Sequence, residues 1–296
     1  MNIYYIGSAL NLSALYMIAG SGAVISIKSG DLNLGGEGQI YLGGFICAVV
    51  LAKLNTPWVG FTLPVAIAAA FICSALLAGL SAVFKFFRNA DFLFTSYIAS
   101  AAVIPFIDGL IAGPFRSPTD NLLATPFIPE GARLTPILPP SPLTASFPAA
   151  LALCAAAALL LYRTAWGRQL STLGVSPEFS RFAGFASPRL SFSSALLSGG
   201  LHGLCGAAAI LGTYFTCHQG FYAGMGWNAF SAALIAGANP LLLIPSSVFM
   251  GIITTYSNKY AMYHNFGFDM SGMIQAVILF GIAFPTRVPR RFRRSK

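Results

Sequence analysis

Charge is the property that most limits what this chain can become. Its 296 residues carry 17 basic and 8 acidic side chains, 8% of the total, where a soluble domain carries about 25%. Charges this few, and unevenly placed, leave uncharged stretches long enough to cross a bilayer, which takes about 20 residues. Hydrophobic residues make up 56% of the chain. This excludes a soluble globular enzyme, a disordered chain and a nucleic-acid-binding domain. The net charge of +9 does not point to DNA, because the bases fall between apolar runs, as they do in the loops of membrane proteins. The chain reads as an all-α, polytopic membrane protein.

Nine candidate spans can be marked: 5–26, 35–52, 58–83, 92–113, 144–162, 190–214, 222–237, 241–257 and 270–286. The second and seventh are short, Gly-rich and flanked by polar residues. They are candidates for broken or re-entrant helices, which are tolerated only where they are buried in protein or line a wet cavity. Met1 to Lys28 lacks a basic leader and is too long for a signal-peptide core, so it reads as the first span and not a cleavable signal. All of 1–296 then forms one transmembrane domain. Placing the 28–34 and 84–91 loops, the 163–189 segment and the C-terminus on one side gathers thirteen of the basic residues there. Lys53, Arg116, Arg133 and Lys259 are left opposite. By the positive-inside rule the N-terminus is outside and the tail, RVPRRFRRSK, is cytoplasmic, where it also meets anionic lipid.

Two loops differ from the spans. Residues 114–143 hold eight prolines and few charges and read as a compact external cap, since proline stiffens extended backbone and removes donors. Residues 163–189, RTAWGRQLSTLGVSPEFSRFAGFASPR, are amphipathic, with breaks expected at Gly174 and Pro177. They read as a pair of short surface helices.

No motif for bond chemistry occurs. There is no GxxxxGK[ST] phosphate loop, HExxH or GxSxG. His202, His218 and His264 share no metal-ligand spacing, and His202 inside a span reads as bonded to neighbouring backbone. Cys47, Cys73, Cys154, Cys205 and Cys217 are odd in number, without CxxC spacing, and read as buried free thiols. No cofactor or metal is expected. Asp108, near the outer end of the fourth span, is the only acid placed to serve an ion-coupled carrier. Gly199, Gly203 and Ala207 are spaced by four, as are Gly109 and Gly113. Such spacing suits close helix packing within a subunit or, alternatively, between subunits.

Three segments in order, GDLNLGGEGQ (30–39), GRQLSTLGVSPEFSRFAG (167–184) and GMGWNAFSAALIAGANP (224–240), resemble the permease subunits of bacterial ABC importers in the simple-sugar and nucleoside branch. The likeness covers about residues 20 to 284. It implies that 167–184 is the coupling helix that docks in a cytoplasmic ATPase. Gly167, Gly174 and Gly184 would set its turns, Pro177 would break it, and Leu170, Leu173 and Phe182 would be its apolar contacts. It also implies that Asn33, Glu37 and Gln39 line the translocation path or pin a helix N-terminus, with Ser96 and Asn228 as further path residues. Ser96 stands where the family usually has Asn, and Glu178 near a position that is usually small.

The GEGQ form of the first motif is closer to the nucleoside-type permeases, whose binding lipoproteins take purine nucleosides or riboflavin. Phe92, Phe94, Tyr97, Phe106, Phe221, Tyr222 and Trp227 could stack on a flat ring or simply face lipid and the interface. The resemblance therefore implies an ATP-driven importer of a nucleoside or riboflavin in the bacterial inner membrane. Its partners would be a separate ATPase, a second, non-identical permease, an external binding lipoprotein and membrane lipid, with no nucleic acid. An ion-coupled secondary transporter and an ABC permease for a simple sugar are the alternatives.

Overall fold

The computed structural model describes residues 3–54, 59–118, 121–264 and 270–283. Among them the α-helices are α1 (Ile3–Ser29), α2 (Gly36–Lys53), α3 (Val59–Arg88), α4 (Phe92–Ala112), α5 (Ser146–Arg163), α6 (Ala165–Val175), α7 (Pro177–Phe182), α8 (Ser187–Ala209), α9 (Met225–Ile235), α10 (Leu243–Tyr263) and α11 (Met270–Ala283). A π-turn, Ile210–Tyr214, extends α8. The basic tail from 287 onward lies outside the described residues.

Nine of these helices coincide with the nine expected spans, but only five described helices are long and apolar enough to cross a bilayer. They are α1, α3 from Gly60, α4, α5 and α8 with its π-turn. The seventh expected span shrinks to the eleven residues of α9, a rise of roughly 16 Å against a hydrocarbon core of about 30 Å. Hydrophobic runs mark what is buried from water, and a short helix buried among others reads the same as a crossing one.

Burial separates a centre from a periphery. The most apolar windows of α1 and α8 are 83% and 78% buried, whereas those of α3 and α5 are 33% and that of α4 22% buried. α1 packs on α5, α8, α9 and α10, and α8 also covers α2 and α3. The close approaches rest on glycine. A Cβ on Gly206 would lie 2.0 Å from the Ile40 carbonyl of α2, and one on Gly43 would lie 2.4 Å from the Gly203 carbonyl. The α8 stripe also faces α3, where a Cβ on Gly199 would sit 2.5 Å from Ala78 Cβ. This stripe therefore packs inside the chain. Gly109 meets nothing within 4 Å, and Gly113 meets only the Gly109 carbonyl.

The connections are capped as their sequences direct. Asp91 accepts from the Leu93 amide at the start of α4, and Thr164 accepts from the Gly167 amide at the start of α6. Ser176 accepts from Phe179 N, and Pro177 opens α7. The break thus falls at Ser176–Pro177. Gly174 lies inside α6 and does not break it. Gly184, at φ +74°, closes α7, a backbone that glycine adopts without steric cost.

The proline-rich segment lies at the opposite end from α6 and α7. It pairs with the chain after α8 through Thr125 N to Cys217 O, Ile128 N to Phe215 O and Leu134 N to Leu211 O, each 2.9 Å. All five cysteines are free, and four of them are buried. Gly206→Leu should lower the unfolding temperature of the detergent-solubilised protein, an overpacking cost of about 1–3 kcal/mol or more. Gly109→Leu should leave it unchanged, and equal effects at the two positions would contradict this packing.

Candidate translocation and coupling sites

Residues 31–35, between α1 and α2, form no helix, yet Asn33 is 2% exposed. Buried amides and carbonyls without partners are costly in a membrane, and here side chains supply them. Asn33 Nδ2 donates to Gln39 Oε1 and Ser198 Oγ, both at 2.9 Å, and Gln39 Nε2 donates back to Asn33 Oδ1 at 3.1 Å. Asn33 Oδ1 also accepts from Gly35 N. From α4, Ser96 Oγ accepts from Leu34 N at 3.1 Å and Ser100 Oγ from Gly38 N at 2.7 Å. Asn33, Gln39 and Ser96 are thus consumed in pinning the N-terminus of α2, and none of the three lines an open cleft.

Glu37 does face a cleft. Its Oε1 accepts from the Trp227 amide at 3.1 Å, placing a carboxylate at the N-terminus of α9, where the helix dipole favours it. The α9 cap itself, Gly224 at φ +78°, has no side chain for the task. Gly226 lets the two helix ends meet, since a Cβ there would lie 2.7 Å from Glu37 N. Beside this junction opens a cleft of about 330 Å³, lined by Leu34, Glu37, Tyr97, Ser100, Ala101, Ile104, Tyr222, Ala223, Gly224 and Trp227. Its aromatic walls could hold a flat molecule by stacking, and Glu37, Ser100 and the polar ends of Tyr97, Tyr222 and Trp227 could hydrogen-bond it.

Asn228 lies behind the cleft. Its Nδ2 donates to Tyr16 OH at 3.2 Å, and Tyr16 donates to Thr254. Asn228 Oδ1 is buried without a partner among the described residues. Asp108 accepts from Tyr41 OH at 2.6 Å, and Gln219 bonds its carbonyl. Tyr41 in turn lies against Tyr222, with ring centroids 4.5 Å apart. His202 is buried with Nδ1 2.7 Å from the Ser198 carbonyl, a core histidine tied to backbone. No group of three or more metal-ligating side chains occurs among the described residues.

At the far end, α6 turns its apolar side inward. Leu170 is 0% and Leu173 7% exposed, so neither is free to touch a partner, as the sequence had suggested they would. Gly167 and Gly174 also sit in helix, against backbone: a Cβ on Gly174 would be 2.2 Å from the Lys28 carbonyl, and one on Gly167 2.3 Å from that of Leu160. They permit contact and do not set turns. The apolar groups that face outward are Val175, Phe179 and Phe182, at 88%, 60% and 93% exposure. The sequence singled out Phe182 and missed Val175 and Phe179. Their spacing of four and three was the available signal, obscured by the break at Ser176.

Next to this surface, Lys85 Nζ contacts Asp31 at 2.5 and 2.6 Å and Ser191 Oγ at 3.1 Å, and Ser191 also donates to Asp31. This cluster joins the α1–α2 turn to the ends of α3 and α8. An open groove of about 790 Å³ runs from it past Asn89 and Asp91 to Gly174, Arg181 and Phe185.

Over residues 5–283 the chain matches the family described as branched-chain amino acid transport system / permease component. The chain belongs to this family of permeases. The permease is 33% identical over 292 residues to the probable riboflavin import permease protein RfuC of Treponema pallidum, an alignment covering 96% of this chain and 76% of that one. It is 24% identical over 273 residues to a glucose ABC transporter permease of Haloferax volcanii, covering 89% and 72%. With the guanosine ABC transporter permease of Bacillus subtilis it shares 22% over 255 residues, covering 84% and 72%. No solved structure matches the permease.

Two contrasts test the assignments within the site. Leu170→Ala should destabilise the permease by about 2–5 kcal/mol, as truncation of a buried leucine does. Phe179→Ala with Phe182→Ala should leave its unfolding temperature unchanged. Glu37→Ala should cost about 0.5–2 kcal/mol, as loss of an N-terminal cap does, and raise amide exchange in the first turn of α9.

Proposed function

We propose that this permease is the membrane subunit of an ATP-driven importer and that it passes a flat heterocycle bearing a ribose or ribityl chain, a nucleoside or riboflavin. The observation that carries the reading is the cleft of Tyr97, Tyr222 and Trp227 around Glu37 and Ser100. Its aromatic walls suit a ring system, and its polar groups suit a hydroxylated chain. The riboflavin relative, similar along nearly the whole chain, and the guanosine relative support it.

In this reading the α6–α7 end is cytoplasmic, the N-terminus outside and the C-terminus inside, in a bacterial inner membrane. An external binding lipoprotein delivers the cargo. A second, non-identical permease closes the path along the open side of the cleft, and cytoplasmic ATPases dock on Val175, Phe179 and Phe182. An exposed apolar cluster of this kind on a water-facing helix is what a partner covers. Gly167, Leu170, Leu173, Gly174, Pro177 and Gly184 shape and support that docking element. ATP binding would then shift the balance between outward- and inward-open states through its differential affinity for them. The α6 backbone rests on the turn at Lys28 and Gly30. Motion of α7 therefore reaches the start of α2 and the Glu37–α9 junction by direct packing.

The test is reconstitution with the cognate ATPase, the second permease and the lipoprotein in vesicles, with uptake of labelled riboflavin, guanosine and glucose measured in parallel. Riboflavin or guanosine should enter with ATP hydrolysis, and glucose should not. Phe179→Ala with Phe182→Ala should abolish ATPase association. Trp227→Ala should leave the complex assembled and lower uptake about tenfold, the value of one lost stacking contact. Uptake of glucose alone would sink the heterocycle reading. ATPase association that survives the double substitution would remove α7 as the docking element.

A further inference from the structure

A second, smaller groove lies on the outer wall of the bundle, away from the cleft and from α7. It measures about 310 Å³ and is lined by Phe71 of α3, Leu160 of α5, Trp166 of α6 and Ser193, Leu196 and Leu197 of α8. This is near the lower limit of ligand-pocket size, about 300–1,000 Å³. Its two polar groups are satisfied, since Ser193 Oγ accepts from Trp166 Nε1 and donates to the Leu190 carbonyl, both at 3.0 Å. All six lining side chains are half-buried.

The groove has a depth and a rim. Its floor is Phe71, packed over Gly200, where a Cβ would meet the ring at 2.4 Å. Its mouth is Trp166, at the α6–α7 end. From Arg189 to Gly200 along α8 is roughly 16 Å at the helical rise, about one leaflet of a hydrocarbon core of about 30 Å. Three arginines lie within about one helical turn of the lining residues, though none lines the groove itself. Arg163 is one turn beyond Leu160 on α5, Arg189 is one turn before Ser193 on α8, and Arg168 follows Trp166 on α6. All three are exposed, and none forms an ion pair among the described residues. The Arg168 guanidinium donates to the Arg163 carbonyl, at 3.1 Å. The lining helices α3, α5, α6 and α8 contain no carboxylate.

We propose that this groove is a binding site for one anionic phospholipid, with an acyl chain between Phe71 and Leu197 and the phosphate on Arg163, Arg168 and Arg189. The charge complementarity selects an anionic lipid. A zwitterionic lipid places a compensating ammonium at the same rim, and water offers nothing to the apolar floor. Basic pockets between helices recognise lipid headgroups in this way, and the indole at the mouth sits where interfacial tryptophans are enriched. The occupied site would clamp α5 and α6 to α8, and so steady the support of the α6–α7 element whichever partner docks there.

The test uses the full-length permease, purified in neutral detergent and titrated with dioleoylphosphatidylglycerol or dioleoylphosphatidylcholine. Retained lipid is counted by native mass spectrometry, and the unfolding temperature is followed alongside. Phosphatidylglycerol should be retained and should raise the unfolding temperature, and phosphatidylcholine should do neither. Arg163→Ala with Arg189→Ala should weaken the phosphatidylglycerol effect about thirtyfold, the loss expected for two surface arginines. Leu160→Trp fills the groove without touching charge and should abolish retention. If that variant fails to fold, the arginine pair decides alone. Equal retention of the two lipids, or retention unchanged in the arginine variant, overturns the site. A dimer mass that collapses in Leu160→Trp, with no lipid retained, also overturns it and assigns the groove to a second copy of the chain.

Discussion

Everything at the centre of this permease depends on one break in helical backbone, residues 31–35, whose Asn33 is buried among the surrounding helices. Each amide freed by the break has to find an acceptor there. Asn33 and Gln39 bind one another and the turn, Ser198 ties them to α8, and Ser96 and Ser100 reach in from α4. The network fixes where α2 begins. The start of α2 in turn fixes where Glu37 sits, and Glu37 supplies the cap that α9 lacks. The cleft exists because these ends meet at one level. Lining a cavity is the setting in which broken membrane helices are tolerated.

The same economy joins the break to the surface below it. Gly174 of α6 lies on the backbone of Lys28 and Gly30, directly before the break, and the Asp31–Lys85–Ser191 cluster holds the turn to α3 and α8. Backbone-on-backbone contact leaves little room to deform, because packed interiors transmit displacement and do not absorb it. A push on α7 under the proposed mechanism therefore has a short mechanical route to α2. α4 is different. It is the least buried of the long helices, with Phe94, Tyr97, Ile98 and Phe106 exposed. One edge of the cleft stands on this open helix, which is the side where the proposed second permease would complete the path.

What could be read in advance divides by physical cause. The paired short helices at 165–182 follow from Thr164, Ser176 and Pro177, and capping is local. The close packing of Gly199 and Gly203 was legible as spacing, but that it lies within the chain was not, and neither was the role of Gly43 and Gly206, whose partners are backbone far away in sequence. Leu170 and Leu173 read as outward contacts in sequence because an amphipathic helix has an apolar face whether that face meets a partner or its own protein. Val175 and Phe179, on the open side, were overlooked for the same reason. Ser100 carried one faint signal, its place four residues after Ser96 on an apolar helix.

The solvent and the family could be read from the residues alone: so few charges in so many apolar residues can be stable only in a bilayer, and three motifs in order mark a permease. The capped ends at Thr164 and Ser176–Pro177 could be read the same way, because caps and prolines act on their immediate neighbours, but the limits of α9 and the place of Gly174 inside α6 could not. Which polar residues face a cleft and which are spent on the backbone follows from how the helices pack. Asn33, Glu37, Gln39 and Ser96 look alike in sequence, being polar side chains near an apolar run. Their fates differ because hydrogen-bond partners on α4, α8 and α9 are supplied by packing, and packing between residues 62 to 190 apart in sequence leaves no local trace.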